Sequence, residues 1–299
     1  MKSSNTHSNS IVGKRICPLD IFLRGLIYFS AILTVMILVG MIIYIVYRGA
    51  SSISWNFLST PAFSYPYENY GILANIINTL YIVVITLLIA TPIGVGAAIY
   101  LSEYAKQGKL VRLIEFTTET LAGIPSIIYG LFGSVFFYTF LKTSYSILAG
   151  ALTMSIMILP TIIRTTQESL KTVPLAYREG AMGIGATKWY MIRTIILPSS
   201  IEGILTSIIL AIGRIVGESA ALIFTAGIMS DMPEISSILD IFKHTSQPGA
   251  TLTVQLYQYA MRGGSEMKYA FSTALVLLVV VLFINIAAKL IGKIFKRGH

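Results

Sequence analysis

The residues best suited to chemistry are Arg214 and Glu218, four apart in a run from 200 to 227 that is otherwise apolar except for Glu202 at its mouth. Inside a bilayer an arginine costs roughly 2.5–3.5 kcal/mol on insertion scales, so it must face protein or water and find a partner. On one continuous helix the i, i+4 spacing predicts a shared face and a salt-bridged resting state. Steps of four and three along that face give Ser207, Ala211, Arg214, Glu218, Ala221 and Thr225, small or polar throughout. Such a stripe suits the wall of a polar path, and the competing reading is a structural ion pair that fixes helix register. Arg214 would grip an oxyanion through two parallel charge-assisted bonds, and Glu218 would accept from a protonated oxygen of the same group. Ser219 beside the pair, and Asn78 and Ser126 in or near other apolar runs, are weaker candidates for the same path.

Other chemistries lack their residues. There is no His-Glu-x-x-His helix and no Gly-x-Gly-Asp pair, and His7, His244 and His299 fall outside the apolar runs, so neither catalytic residues nor a metal site is expected. No Gly-x-x-x-x-Gly-Lys-Ser/Thr loop occurs, so the chain cannot cradle ATP in that way. Cys17, the single cysteine, excludes an internal disulfide and a multi-thiolate site.

The elements that must position Arg214 follow from the gaps between charges. The chain of 299 residues is 55% hydrophobic and only 12% charged, too apolar for an ordinary soluble domain. A bilayer core needs about 20 apolar residues per helical crossing. Uncharged stretches of 23, 22, 21 and 20 residues separate Arg24 from Arg48, Glu119 from Lys142, Lys142 from Arg164, and Lys268 from Lys289. The 34 residues between Glu68 and Glu103 hold one tilted span after an interfacial stretch. With the run around Arg214, the expected spans are 25–47, 72–101, 120–141, 144–163, 200–227 and 269–288, within a six-span transmembrane domain of 25–291. An N-terminal arm (1–24) and a basic tail (292–299) flank it. Pro92 with Gly94 and Gly96, and Pro160, mark expected kinks. Trp55, Phe57, Phe63, Tyr65, Tyr67 and Tyr70 suit a headgroup belt, and the mixed segment 228–267 is expected to dip partly into the membrane or receive a partner.

The formal net charge of +9 is a matter of topology rather than of nucleic-acid binding. With both termini in the cytoplasm, 16 of the 22 Lys and Arg lie inside and five outside, as the positive-inside rule requires. The first apolar run is too long for a signal-peptide core and lacks a small-residue cleavage site, so it is expected to stay as a helix.

The longest stretch expected on the cytoplasmic side, 164–198, reads Glu179-Gly180-Ala181, three residues, Gly185, nine residues, then Ile195-Ile196-Leu197-Pro198. This resembles the EAA loop of ABC importer permeases, whose pattern is Glu-Ala-Ala, three residues, Gly, nine residues, Ile, any residue, Leu, Pro; Gly180 is the one departure. The competing reading is an amphipathic linker lying on lipid. Asn78-Thr79-Leu80, the run 98–104, the run 123–133 and Gly213-Arg214-Ile215-Val216-Gly217-Glu218-Ser219-Ala220 are similar to the phosphate-specific branch of that family.

The resemblance implies an all-α, polytopic membrane protein of six transmembrane helices with the type I ABC importer permease fold. It implies that Glu179, Gly180, Ala181, Gly185, Leu197 and Pro198 couple the spans to an ATPase. The expected assembly contains a homologous second permease forming a heterodimer, two ATP-binding subunits that hold ATP and Mg2+, and an extracytoplasmic phosphate-binding protein. No cofactor is expected in this chain, no enzymatic activity and no nucleic-acid partner; the substrate is phosphate, with sulfate or molybdate as alternatives. A channel or secondary transporter working without ATP would account for Arg214 and Glu218 but would leave the 179–198 pattern unexplained.

Overall fold

The computed structural model describes residues 18–62, 70–106, 108–229, 232 and 238–297. The arm's first 17 residues with Cys17, the belt residues Phe63, Tyr65 and Tyr67, and His299 lie outside them. Among the described residues every regular element is helical. Five helices among the described residues are long and apolar enough to cross a membrane, and a sixth crossing is reached if one bent pair counts as a single span. The chain divides into two units at Tyr47/Arg48.

Helix α1 (Pro18–Ala50) supplies most of the first unit, and begins before the expected span at 25. Phe22, Ile27, Phe29, Ile32 and Met36 are all exposed around it. A helix apolar on every side is at home in hydrocarbon.

In the second unit the short α2 (Trp55–Ser59) leads to α3 (Leu73–Ile99), which ends in a π-helical turn, Tyr100–Tyr104. Its most extensive partner is α6 (Ile147–Lys171). Small residues allow the approach: a Cβ on Gly94 would sit 2.6 Å from Ile162 Cγ2. Between the two helices Thr86 Oγ1 donates to the Ala151 carbonyl at 3.2 Å. Lipid gives helices no hydrophobic reason to associate, so such close packing and short polar bonds do the work. Both helices run unbroken through Pro92 and Pro160.

The expected span 120–141 is instead a bent pair. Helix α4 (Lys109–Ala122) and α5 (Ser126–Ser134, continued by a π turn Val135–Phe140) meet at 96°. Pro125 lacks an N–H and disfavours helical backbone at Ile124, and α4 carries Lys109, Arg112, Glu115 and Glu119, which lipid rejects.

After α6 come α7 (Leu175–Gly183) and α8 (Lys188–Met191), then a π turn (Ile192–Ile196) that runs into α9 (Leu197–Gly217). The expected span 200–227 is therefore also interrupted, because α9 stops at Gly217 and α10 (Ala220–Thr225) starts afresh. Glu218 is extended (φ −84°, ψ 126°), and its freed carbonyl accepts from Thr253 Oγ1 at 2.8 Å. A distant hydroxyl thus meets the backbone demand that a break inside a membrane creates.

The segment expected to dip into the membrane includes α11 (Ile238–Thr245) and α12 (Leu252–Arg262) before α13 (Met267–Arg297). Residues 250–255 are buried. Asn75 Nδ2 donates to the Ala250 carbonyl at 3.0 Å, and Leu252 N–H donates to Thr79 Oγ1 at 2.9 Å. From the expected headgroup belt, Phe57 is buried and Tyr70 stacks on Tyr269 with ring centres 4.2 Å apart, while Trp55 is exposed.

Candidate functional site

Arg214 sits in the last turn of α9, half-buried, and its Nη1 reaches Thr161 Oγ1 of α6 at 3.5 Å. The salt-bridged resting state with Glu218 is not formed: no ion pair joins them among the described residues. The reason is local. The i, i+4 argument requires helix through Glu218, and helix ends one residue earlier. Glu218 Oε1 instead accepts the Ala221 N–H at 3.0 Å, capping α10 from outside. The stripe expected from Ser207 to Thr225 is therefore cut in two, with Ser207, Ala211 and Arg214 on α9 and Ala221 and Thr225 on α10.

The two interruptions are brought together by small residues. A Cβ on Gly130 of α5 would lie 2.6 Å from the Ala221 Cα of α10, so these backbones touch. Ser126, the first residue of α5, and half-buried Ser219 both lie within about one helical turn of that contact. Asn78 is elsewhere in role. It is fully buried, its Oδ1 pairs with His244 Nε2 at 2.9 Å, and its Nδ2 points at the Ala250 carbonyl at 3.4 Å, so it fastens the 244–250 segment to α3.

Thr161, the partner of Arg214, also lines a cleft of about 310 Å³ between α4 and α6, together with Glu115, Glu119, Arg164 and Lys171. Arg164 lies 3.1 Å from Glu119 and 3.2 Å from Glu168, in pairs exposed enough to rearrange at little cost. Sequence reasoning used Glu119 and Arg164 only as span boundaries and missed their place in this cleft. The signals in the sequence are the charge of Arg164, three residues beyond Thr161, and that of Glu119, at the start of the apolar run 120–141.

The 179–198 pattern folds into a platform with a buried underside and an open top. Ala181, Met191, Ile192 and Ile196 pack on Ala98 and Leu170, and Leu197 and Pro198 are partly buried where α9 begins. Glu179 and Gly180 are exposed on α7, and Gly185 adopts φ +84°, a turn suited to glycine. Leu175, Tyr177, Met182, Ile184, Trp189 and Tyr190 are all exposed, Ile184 by 87%. Together they make an exposed apolar face above that buried underside. Arg178 does not share that exposure. It pairs with Glu103 at 2.9 Å, with Arg178 19% and Glu103 6% exposed at the side chain.

Comparison with known proteins gives a consistent result. The family described as "Binding-protein-dependent transport system inner membrane component" matches residues 90–298. The chain is similar to a probable ABC transporter permease protein, YqgI, of Bacillus subtilis, at 33% identity over 93% of this chain and 97% of that protein. It is likewise similar to the phosphate transport system permease protein PstA of Haemophilus influenzae, at 33% identity over 89% of this chain and 91% of that one. PstA of Yersinia pestis is 37% identical over 68% of this chain and 66% of its own. Among solved structures, a bacterial ABC transporter for import of the acidic polysaccharide alginate superposes with a TM-score of 0.60 at 18% identity, covering 90% of this chain and 96% of that one. The MetNI methionine ABC transporter superposes with a TM-score of 0.59 at 18% identity, covering 75% and 95%. At such identities the likeness is one of fold.

Proposed function

We propose that this chain, which belongs to the binding-protein-dependent transport system inner membrane component family and is a multi-pass permease subunit of an ABC importer, serves the uptake of inorganic phosphate. ATP hydrolysis in this family belongs to separate subunits, so the chain is a conduit and not an enzyme. The observation that carries the substrate reading is Arg214. It is a guanidinium inside the bundle, at a helix interruption and beside a charged cleft, whose bond among the described residues is one 3.5 Å contact to Thr161. Its remaining donors match two phosphate oxygens in a planar fork. Glu218 has one oxygen engaged with the Ala221 N–H, and in this reading the other accepts from a protonated phosphate oxygen. Broken helices beside a polar path are the usual way membrane transporters present groups to a charged substrate. The similarity to PstA proteins of two bacteria supports the same substrate.

In this reading the chain pairs with a homologous second permease, two ATP-binding subunits holding ATP and Mg2+, and an extracytoplasmic phosphate-binding protein. The exposed top of α7 and the turn at Gly185 form the docking face for an ATP-binding subunit, with Glu179, Gly180 and Ala181 in the helix. Leu197 and Pro198 lie at the hinge into α9, so closure of the ATPases rocks α7 and α9 together and exposes Arg214 to alternate sides. The test is ATP hydrolysis by the reconstituted complex. Phosphate presented with the binding protein is expected to stimulate it several-fold, with sulfate and molybdate inert. Stimulation by sulfate or molybdate in place of phosphate would overturn the substrate assignment.

A further inference from the structure

The Arg178–Glu103 pair joins residues 75 positions apart in sequence, on the platform helix α7 and on the π turn that ends α3. Arg178 Nη2 and Nε lie 2.9 and 3.3 Å from Glu103 Oε1, and Nε is 3.4 Å from Oε2. The same guanidinium donates to the Leu170 carbonyl at 2.8 Å, in the last turn of α6, and to the Val173 carbonyl, in the link from α6 to α7. One side chain therefore ties α7 to both members of the α3–α6 pair. The geometry is fixed, because a planar fork bonded on several edges tolerates little sliding. The other links between α3 and the platform are the apolar contacts of Ala98 and Ile99 with the cluster beneath α7 and Lys188 Nζ over the Tyr104 ring, 5.4 Å from its centre, and neither fixes direction as a multiply bonded fork does.

The consequence reaches the site. The platform runs covalently into α9 through the Ile192–Ile196 turn, so movement of α7 reaches Arg214 along the chain. Thr161, which meets Arg214, lies on α6, nine residues before Leu170 and so about 13 Å along the helix from that carbonyl. Both sides of the Arg214–Thr161 contact are thus attached to the platform by backbone, α9 through the Ile192–Ile196 turn and α6 through residues 172–174, while Arg178 adds α3, against which α6 packs.

We propose that the Arg178–Glu103 ion pair is a transmission tie: it makes the α3–α6 pair follow α7, so that ATPase movement is converted into displacement around Arg214 rather than lost as slippage between α7 and α3. The proposal rests on the importer reading above. Glu103 and Arg178 act here as positioning residues and touch no substrate.

The test uses the complete importer in proteoliposomes and reads three quantities: ATP-binding subunits retained on purification, ATP hydrolysed without substrate, and phosphate taken up per ATP. Glu103→Ala unties α3 while leaving Arg178 on the Leu170 and Val173 carbonyls. It is expected to retain the ATP-binding subunits and basal hydrolysis while phosphate moved per ATP falls at least tenfold. Glu103→Gln keeps an acceptor of the same shape without the charge and is expected to fall between Glu103→Ala and the unaltered complex. Should Glu103→Ala not assemble, Glu103→Gln carries the test alone, with a loss of at least threefold expected. An uptake ratio within twofold of the unaltered complex overturns the tie. Loss of the ATP-binding subunits from Glu103→Gln also overturns it, by assigning the pair to docking or folding. The unaltered complex tests the substrate separately: if another oxyanion drives hydrolysis, the ratio is measured with that anion and the tie is judged independently.

Discussion

Arg178 and Arg214 carry the same side chain into opposite circumstances. Arg178 lies between α7 and the ends of α3 and α6, with one carboxylate and two backbone carbonyls around it. Arg214 lies at the end of α9, with one long contact to a threonine hydroxyl among the described residues. A guanidinium has five N–H donors and must find acceptors wherever water is scarce. Where the protein supplies them the residue becomes a rivet, and where it withholds them, as at Arg214, the proposed function supplies an acceptor from outside. Charge and sequence position do not separate these cases; the inventory of acceptors does.

The sharpest way to break this contrast is to truncate Arg214. Arg214→Ala should lower phosphate uptake by about a hundredfold or more, the loss of two charge-assisted bonds worth about 1.5–3 kcal/mol each. The melting temperature of the purified protein should be nearly unchanged, since one 3.5 Å contact is all the described structure loses. Arg214→Lys keeps the charge but loses the fork, so its uptake should fall by about tenfold. A large drop in melting temperature for Arg214→Ala would mean that this arginine too is a structural member.

Arg178→Ala should do the reverse. It leaves Glu103, 6% exposed, without its cation and uncovers the Leu170 and Val173 carbonyls. Removing one partner of such a buried pair costs about 3–5 kcal/mol. Thermal unfolding in detergent should therefore move down by many degrees, and low recovery from membranes should accompany it. A melting temperature equal to that of the unaltered protein would show the pair to be solvated and the contrast with Arg214 unfounded.

How much of this was legible beforehand follows from the range of the interactions. The gaps between charges located α1, α3, α6 and α13, because the cost of a charge in hydrocarbon is a local property of each residue. The interruptions at 123–125 and 218–219 were hidden, since the runs 120–141 and 200–227 are each long enough for one continuous span. Gly217 and Pro125 permit a break, but what completes the one at Glu218 is Thr253, whose hydroxyl takes the freed carbonyl from 35 residues away. Pro92 and Pro160 show the converse, with helices continuing through both. Arg214 declared itself by its cost. Its partner did not: Glu218, four residues on, was the local choice, and Thr161, on another helix, is an ordinary residue in an apolar span. The Arg178–Glu103 pair carries no local pattern at all.

The smallest expected effect tests whether the platform works by shape as well as by attachment. Gly185 adopts φ +84° with no other atom within 4 Å of a Cβ placed there, so Gly185→Ala adds backbone strain and no clash. A non-glycine residue in that region costs about 1 kcal/mol or somewhat more. The turn after α7 should relax, shifting the exposed apolar face relative to the ion pair beneath it. Affinity for the ATP-binding subunits, read by titration of the permease in nanodiscs, should fall by about fivefold, while the bond between Arg178 and Glu103 persists and global stability drops only slightly. Unchanged affinity would place the docking face away from this turn, and would confine the role of the platform to the α7 side that Arg178 holds in place.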